Sequence, residues 1–310
     1  MVVDVVIIGG GPAGLSAALV LGRSRKRVVV FDAGSPRNAR ASHVHGFVTR
    51  DGIPPRELRE AAHAELAAYD TVDRRDGQVT KIEPVSIFGG DPMRDGRYTV
   101  FAGGEMLRAR RILLCVGIVD EVPAMPGYRE LWGTCVFQCP YCHAFEARDR
   151  RFGYVPRDAN AETSFALLLR GWTKDLIVFT GGTCELGRDH RRELEHAGIT
   201  IDDRPMRGLR IADGRLAAIE LVDGGEVERD VLFVHPPQCQ TELVKSLKLD
   251  CKDADVHVDD HYETSRPGIH AAGDLTTPLD SAIFAASAGA AAAYKINALL
   301  TKELLAAGLL

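Results

Sequence analysis

Val5-Val6-Ile7-Ile8 runs directly into Gly9-Gly10-Gly11-Pro12-Ala13-Gly14, and an apolar helical pattern follows at residues 15–21. A β-branched run, a glycine cluster and a helical pattern in this order predict a strand, a tight turn and a helix. In such a unit Gly9 permits the turn, Gly11 lets the backbone approach a pyrophosphate, and Gly14 lets helix and strand pack closely. The free N–H groups at the helix start bind the anion. The sequence therefore predicts a dinucleotide site at this turn.

The next strand favours a dinucleotide site over a purely structural glycine turn. Residues 27–31 form a second apolar run that ends in Asp32, where an acidic side chain accepts hydrogen bonds from a ribose. This combination of turn and acid does not by itself distinguish FAD from NAD.

Length and composition describe an ordinary globular chain. It has 310 residues, 45% hydrophobic content, 26% charged residues and a net charge of −5, which allow two domains and give no reason to expect a nucleic-acid partner. The run Val2–Ile8 is interrupted by Asp4 and lacks a basic leader, so it predicts a strand rather than a signal peptide. The alanine-rich residues 282–293 are too few to cross a bilayer. We expect a cytoplasmic protein without a membrane partner.

The sequence Cys139-Pro140-Tyr141-Cys142-His143 carries the chemistry. Two thiols one helical turn apart, followed by an imidazole, can open or close a disulfide. If Cys139 starts a helix, the positive helix end lowers its pKa and makes it the thiolate that meets an external substrate. His143 would then act as general acid or base, with a pKa near the working pH.

A zinc site is an alternative for the same segment. Cys135, Cys139, Cys142 and His143 are four potential ligands, and zinc accepts a set of three Cys and one His. Adjacent Cys142 and His143 chelate a single ion poorly, so we predict no metal ligand here.

A second motif lies near the C-terminus. Residues 268–274, which end in Ala-Gly-Asp, are followed by the small-residue helical pattern of residues 281–289. This resembles the C-terminal flavin motif of the disulfide reductases that have two dinucleotide domains. The resemblance implies that Asp274 contacts the ribityl chain of FAD, and that Ser281 and Ala282 approach the flavin edge.

Within that family the chain is most similar to the low-molecular-weight thioredoxin reductase group, over nearly its whole length. The resemblance implies an α/β fold of two Rossmann-like three-layer dinucleotide-binding domains, the second inserted into the first. Residues 1–117 and 246–310 would form the FAD-binding domain, and residues 118–245 an inserted domain that carries the cysteine pair. A homodimer is also implied.

Further FAD contacts follow from the same resemblance. Residues 111–117 are similar to the strand and glycine that close the first FAD segment, and Asn38 and His45 lie in a loop similar to the first FAD loop. The complete predicted cofactor set is Gly9, Gly11, Pro12, Ala13, Gly14, Asp32, Arg37, Asn38, His45, Val79, Gly117, Gly273, Asp274, Ser281 and Ala282.

The inserted domain departs from the family pattern at its own dinucleotide turn. NADPH-using members have a second glycine-rich turn there, whereas this chain has Pro156, which has no N–H, and Asp158, which adds a negative charge. Gly181-Gly182-Thr183 stands where an arginine pair would hold a 2′-phosphate. We therefore expect that NADPH is not the donor. The branch that this pattern resembles exchanges electrons with O₂, with ferredoxin, or with a second flavin in each subunit.

The expected activity is that of an FAD-dependent dithiol/disulfide oxidoreductase. The resemblance implies that Cys142 faces the flavin and that Cys139 exchanges with a protein or small-molecule dithiol or disulfide. Trp172 is either a flavin-stacking platform or a core aromatic residue. Two alternatives remain, an NADPH-dependent thioredoxin reductase and a zinc-stabilised binding module.

Overall fold

The computed structural model describes residues 2–85, 91–157, 163–181 and 184–310. Asp158, Gly182 and Thr183, to which the sequence analysis gave a part in excluding NADPH, lie outside the described residues. The chain folds into two units. The first unit is Met1–Ala39, Ile53–Val119 and Gln238–Leu310, and the second unit is Arg40–Gly52 and Asp120–Pro237.

The strands are β1 Val2–Ile8, β2 Val28–Asp32, β3 Val72–Asp76, β4 Val79–Pro84, β5 Tyr98–Ala102, β6 Glu105–Leu114, β7 Val119–Asp120, β8 Val136–Phe137, β9 Phe152–Val155, β10 Leu176–Phe179, β11 Thr200–Asp202, β12 Met206–Ala212, β13 Arg215–Leu221, β14 Glu226–Glu228, β15 Val231–Val234, β16 Gln238–Cys239, β17 Cys251–Lys252, β18 Asp255–Val256 and β19 Ile269–Ala271. The helices are α1 Pro12–Arg23, α2 Pro55–Leu66, α3 Pro92–Asp95, α4 Tyr128–Leu131, α5 Pro140–His143, α6 Thr163–Leu169, α7 Arg188–His196, α8 Glu242–Leu247 and α9 Ala282–Ala306.

The first unit is built on a seven-stranded sheet in the order β3-β2-β1-β6-β5-β4, with β19 also paired to β6. Strands β1, β2, β3, β6 and β19 are parallel, while β4 and β5 are antiparallel to their neighbours. The central strand β1 is almost wholly buried, because its apolar β-branched residues face packed layers on both sides. Helices α1 and α9 pack together on one of those faces.

The second unit has a five-stranded parallel sheet in the order β11-β10-β9-β15-β8. A three-stranded antiparallel sheet, β12-β13-β14, accompanies it. Strand, helix, strand connections with a parallel sheet appear in both units, which confirms the predicted α/β class with Rossmann-like dinucleotide-binding domains.

The unit boundaries differ from those predicted. The chain leaves the first unit after Val119 and returns at Gln238, whereas the sequence placed these points after residue 117 and before residue 246. Residues 40–52 also pack with the second unit, although the prediction placed them in the FAD-binding domain. Such a grouping depends on packing between segments far apart in the sequence, which a local pattern does not carry.

Helix α9 is longer than the sequence pattern indicated. The alanine-rich residues 282–293 and the following residues form one 25-residue helix, because Tyr294 and Lys295 do not interrupt it. Residues 282–293 are by themselves too few to cross a bilayer, but the helix continues beyond them, and α9 as a whole is long and apolar enough by length and composition. Its buried residues, which include Ala292, Ile296 and Leu300, belong to the core cluster shared with α1, and that packing accounts for its apolar character.

Candidate active site

The first glycine-rich turn lies between β1 and α1, and two of its glycines have no room for a side chain. Gly9 has a φ of +112°, and a Cβ there would lie 2.2 Å from the carbonyl oxygen of Cys115. A Cβ on Gly14 would lie 1.9 Å from the carbonyl oxygen of Gly9. The turn is thus held against the end of β6 and against the start of α1, as the glycine pattern predicted.

Gly11 is different, because it borders open space. It is the N-cap residue of α1, makes no side-chain cap, and a Cβ there would meet nothing within 4 Å. The start of α1 therefore has open space beside Gly11 and no side-chain cap, which suits a pyrophosphate. Asp32 ends β2 beside the turn, with its Oδ2 2.3 Å from where a Cβ on Gly10 would lie.

The C-terminal motif lies against the same turn within the first unit. Gly273 has a φ of +82°, and a Cβ on it would lie 3.0 Å from the Cβ of Ala13 in α1. Arg37 donates to Asp274, with Nη1 3.0 Å from Oδ2. The structure thus brings together the N-terminal turn, Arg37 and the predicted ribityl ligand.

Asp280 is a residue of this cluster that the sequence reasoning missed. Its Oδ2 lies 2.9 Å from Nη1 of Arg37, so the guanidinium bridges Asp274 and Asp280. Ser281, the N-cap of α9, accepts a hydrogen bond from the N–H of Phe284 at 3.3 Å. An acid directly before a capping serine, at the start of a long helix, was the signal in the sequence.

Four other predicted cofactor residues also lie in the first unit. Asn38 follows Arg37, Val79 is buried at the start of β4, Gly117 follows β6 with a φ of +66°, and Ala282 begins α9. Their contacts with a cofactor stay predictions. His45 belongs to the second unit, and its contact with a cofactor also stays a prediction.

The cysteine pair lies at the start of the short helix α5. Cys139 is the N-cap residue, with extended backbone angles, and Cys142 lies inside the helix. The two Sγ atoms are 2.6 Å apart, and both cysteines are partly exposed. The pair can therefore pass between dithiol and disulfide with small movements, while remaining accessible to another molecule.

Aromatic residues lie within and shortly after the dithiol motif in the sequence. Tyr141 is 70% exposed and Phe145 is 61% exposed. Trp172 lies edge-on to Tyr141, with ring centroids 5.8 Å apart, and packs against the core of the second unit. Of the two roles weighed for Trp172, the structure shows the packing contact.

His143 stacks on Phe137, with ring centroids 4.1 Å apart and ring planes 10° apart. Burial lowers the pKa of His143 to about 4, although the backbone of Cys139 and the carboxylate of Glu146 act in the opposite direction. Neither ring nitrogen has a hydrogen-bond partner among the described residues. The expectation of a pKa near the working pH is therefore wrong, because the sequence pattern did not show the burial. His143 is neutral at pH 7.

The remaining cysteines show no arrangement for a metal. Within the described ranges, no group of three or more His, Cys, Asp or Glu side chains is placed to hold a metal ion. Cys135 is buried near the dithiol, and burial raises the pKa of Cys115.

Comparisons with known proteins show the family of the chain. The chain matches the model of the family described as pyridine nucleotide-disulphide oxidoreductase over residues 3–184. It is 32% identical over 313 residues to the thioredoxin reductase sirT of Leptosphaeria maculans, covering 95% of this chain and 93% of sirT. It is also 32% identical over 308 residues to the thioredoxin reductase aclD of Aspergillus oryzae, covering 94% of this chain and 95% of aclD. The crystal structure of HlmI, 36% identical, superposes with a TM-score of 0.90 and covers 99% of this chain and 95% of HlmI.

The family implies FAD as the cofactor, and the residues of the first unit fit it. The open face at Gly11, the uncapped start of α1 and the carboxylate of Asp32 provide the pyrophosphate and ribose contacts that a dinucleotide requires. The chain therefore belongs to the pyridine nucleotide-disulphide oxidoreductase family and is a thioredoxin reductase-like, flavin-dependent oxidoreductase that acts on sulfur groups.

Proposed function

We propose that this protein is an FAD-dependent dithiol/disulfide oxidoreductase that works through Cys139 and Cys142 and does not take electrons from NADPH. The observation that carries the proposal is the 2.6 Å separation of two partly exposed sulfur atoms. Bound FAD would supply a two-electron partner for this pair. The substrate is a dithiol or disulfide, carried by a protein or by a small molecule.

The residues of the second unit support the exclusion of NADPH. In the first unit, the turn after β1 depends on the positive φ of Gly9. The equivalent position after β9 is Pro156, which is buried, has a φ fixed near −65° and has no N–H to offer a phosphate. A glycine-type phosphate turn therefore does not form at that residue.

Ion pairs that involve α7, β11 and the loop after β11 also support the exclusion of NADPH. Arg191 donates to both carboxylate oxygens of Asp203, at 2.9 and 2.6 Å, and Arg204 pairs with Asp202 at 2.7 Å. These arginines lower the pKa of Asp202 and of Asp203, so both acids are ionised at pH 7. Guanidinium groups already paired with carboxylates are poor ligands for a 2′-phosphate.

The dithiol residues have separate tasks in this proposal. Cys139, at the exposed start of α5, exchanges with the substrate, and Cys142 faces the flavin, as the family resemblance implies. Neutral His143 accepts a thiol proton on its free ring nitrogen. Exposed Tyr141 and Phe145 provide apolar area beside the sulfurs for a substrate to cover.

A thioredoxin reductase supplied by NADPH is the second candidate, and the names of sirT and aclD favour it. In our proposal the electrons are exchanged instead with O₂, ferredoxin or a second flavin in each subunit. We also propose a homodimer in the cytoplasm, as the family resemblance implies.

The test is anaerobic mixing of the purified yellow protein with dithiothreitol or with NADPH, following flavin absorbance. We expect dithiothreitol to bleach the flavin band and NADPH to do so at least about 100-fold more slowly, since Pro156 stands at the first position of its phosphate turn. Cys142→Ser should retain the yellow colour and fail to bleach with dithiothreitol. Rapid bleaching of the wild type by NADPH would contradict the donor assignment, and a colourless protein would contradict the whole proposal.

A further inference from the structure

A cavity of about 300 Å³ in the second unit brings residues 40–52 together with the segment that follows the dithiol. His45 lines it from the first segment, and His143 and Glu146 line it from the second. A polar cavity of this volume has room for several water molecules, which require the hydrogen-bond partners that such side chains provide. Two imidazoles and a carboxylate thus line one cavity next to the segment that follows Cys142.

His45 is held between two carboxylates. Its Nε2 lies 3.6 Å from Oε1 of Glu146, and its Nδ1 lies 3.4 Å from Oδ1 of Asp51. Asp51 is fixed in turn, because its Oδ1 accepts the N–H of Gly46 at 2.8 Å. The side chain of His45 is 18% exposed, whereas those of Glu146 and Asp51 are 49% and 69% exposed. Exposure to solvent therefore increases from His45, which lines the cavity, to Glu146 and then to Asp51.

If His143 transfers thiol protons, it needs neighbouring side chains that exchange those protons with solvent. Both of its ring nitrogens are inaccessible to solvent, and neither has a hydrogen-bond partner among the described residues. A neutral imidazole has one N–H and one lone pair, so it can donate a proton at one nitrogen while it accepts another at the second. Repeated turnover then requires a nearby group that replaces or removes the proton.

We propose that His45, positioned by Glu146 and Asp51, passes protons between solvent and His143 during thiol–disulfide exchange. This inference rests on the proposed function. Other charged groups that line the cavity are Arg40, Arg150, Arg215 and Asp230, and the ring of His43 lies 5.9 Å from that of His45. Of the described histidines that line the cavity, His45 is the one within 4 Å of carboxylate oxygens.

The exchange conserves atoms and electrons. A substrate thiolate attacks Cys139, a new S–S bond forms, the Cys139–Cys142 bond breaks, and its electron pair remains on Cys142, which takes up a proton. The second substrate thiol loses its proton and attacks the substrate sulfur of the mixed disulfide, which releases Cys139 to be protonated in turn. The substrate loses two electrons and two protons, and the cysteine pair gains both.

The test measures how fast dithiothreitol opens the disulfide of the oxidised, FAD-loaded protein, by rapid quenching with an alkylating agent and mass spectrometry. Relative to the wild type, we expect His45→Ala to be slowed about tenfold at about pH 6 and to converge with it at about pH 9, because dithiothreitol is a thiol that must lose its proton to a base at pH 6, whereas much of it is already thiolate at pH 9. Added imidazole should restore the rate of His45→Ala at low pH. Glu146→Gln should show a smaller loss with the same pH dependence.

His43→Ala is the matched control, since it lies in the same segment and has no carboxylate oxygen within 4 Å among the described residues. Its rate should follow the wild type at every pH and not respond to imidazole. A His45→Ala profile parallel to the wild type, or slowed equally at all pH values without rescue, would overturn the relay. If His45→Ala does not fold, Glu146→Gln decides the question by the same comparison. A wild type that does not react with dithiothreitol at all would instead refute the proposed function.

Discussion

At the scale of single residues, the glycines of the N-terminal turn have different surroundings. Some contact the rest of the fold closely, and one borders the space where the pyrophosphate is predicted to bind. A Cβ on Gly9 or Gly14 would collide with backbone oxygen at 2.2 or 1.9 Å. A Cβ on Gly11 would touch no protein atom within 4 Å. The sequence pattern assigned different roles to the three glycines, and their neighbours differ accordingly: Gly9 and Gly14 have no room for a Cβ, whereas Gly11 has no protein neighbour that requires it to be small.

Alanine substitutions should separate these two roles. Gly11 has a backbone φ of −79° that alanine adopts readily, so Gly11→Ala should leave the melting temperature of the flavin-free protein unchanged or slightly higher. The same change places a methyl group where the pyrophosphate approaches, so FAD affinity should fall about tenfold or more. The measurements are flavin content after dialysis and thermal unfolding.

Gly14→Ala is the control for that experiment. Its Cβ would lie 1.9 Å from the carbonyl oxygen of Gly9, so the flavin-free protein itself should be destabilised by about 1–3 kcal/mol. If Gly11→Ala retained flavin as firmly as the wild type, the assignment of this turn to the cofactor would be wrong.

The buried imidazole of His143 should make stability depend on pH. Its folded-state pKa of about 4 lies below the ordinary value of 6.5, so between these values the unfolded chain binds a proton that the folded chain does not. The free energy of unfolding therefore falls as the pH drops from about 6.5 towards about 4, by roughly 2 kcal/mol. His143→Phe, which retains an aromatic ring on Phe137, should lose less stability over this range.

Urea unfolding of the two proteins at about pH 7 and about pH 4.5 measures the difference. The buried His270, whose pKa burial also lowers to about 4, is present in both proteins and cancels in the comparison. Equal losses in the wild type and in His143→Phe would show that His143 is not desolvated in solution.

Among the elements, the pair of helices α1 and α9 supports the predicted cofactor site. Gly289 lies in the middle of α9, where a Cβ would be 2.0 Å from the carbonyl oxygen of Ala13 in the first turn of α1. Close contact of the two helices thus depends on a single missing methyl group. Because Ala13 belongs to the predicted pyrophosphate turn, the same contact sets the position of that turn.

Gly289→Ala should therefore lower both stability and flavin retention. Separation of the two helices costs about 1–3 kcal/mol, which outweighs the gain of up to about 1 kcal/mol in helix propensity. Ser287→Ala, an exposed position on the same helix, is the control and should be neutral or slightly stabilising. Differential scanning fluorimetry with flavin quantification gives both quantities. A stable, fully yellow Gly289→Ala protein would show that the helices have more freedom than the contact indicates.

The local elements were predictable where the sequence period and the turn residues agree. The run before Gly9, the acid at Asp32 and the start of a helix after Ser281 all depend on neighbouring residues, and the structure has each of them. The length of α9 was not predicted, since the helical pattern described for residues 281–289 covers only its first part and the helix continues to Ala306. No residue between its alanine-rich and leucine-rich parts ends the helix.

For the whole molecule, the motifs indicated the class of chemistry but not the surroundings of the dithiol. The spacing of Cys139 and Cys142 is local, so the proximity of their sulfurs was predictable. The pairing of His45 with Glu146 joins residues about a hundred positions apart and depends on the path of residues 40–52. The lowered pKa of His143 has the same origin, because burial results from packing between distant segments.

The path of residues 40–52 also limits how this architecture can be exchanged between relatives. The second unit consists of two separate stretches of chain, and the shorter one lies between two parts of the first unit. A chimera that imports only residues 120–237 from a homologue would inherit one sequence for the dithiol segment and another for the segment carrying His45. Recombination that keeps the two stretches matched must transfer both of them at once. We therefore expect substitutions in one stretch to be accompanied by substitutions in the other among descendants.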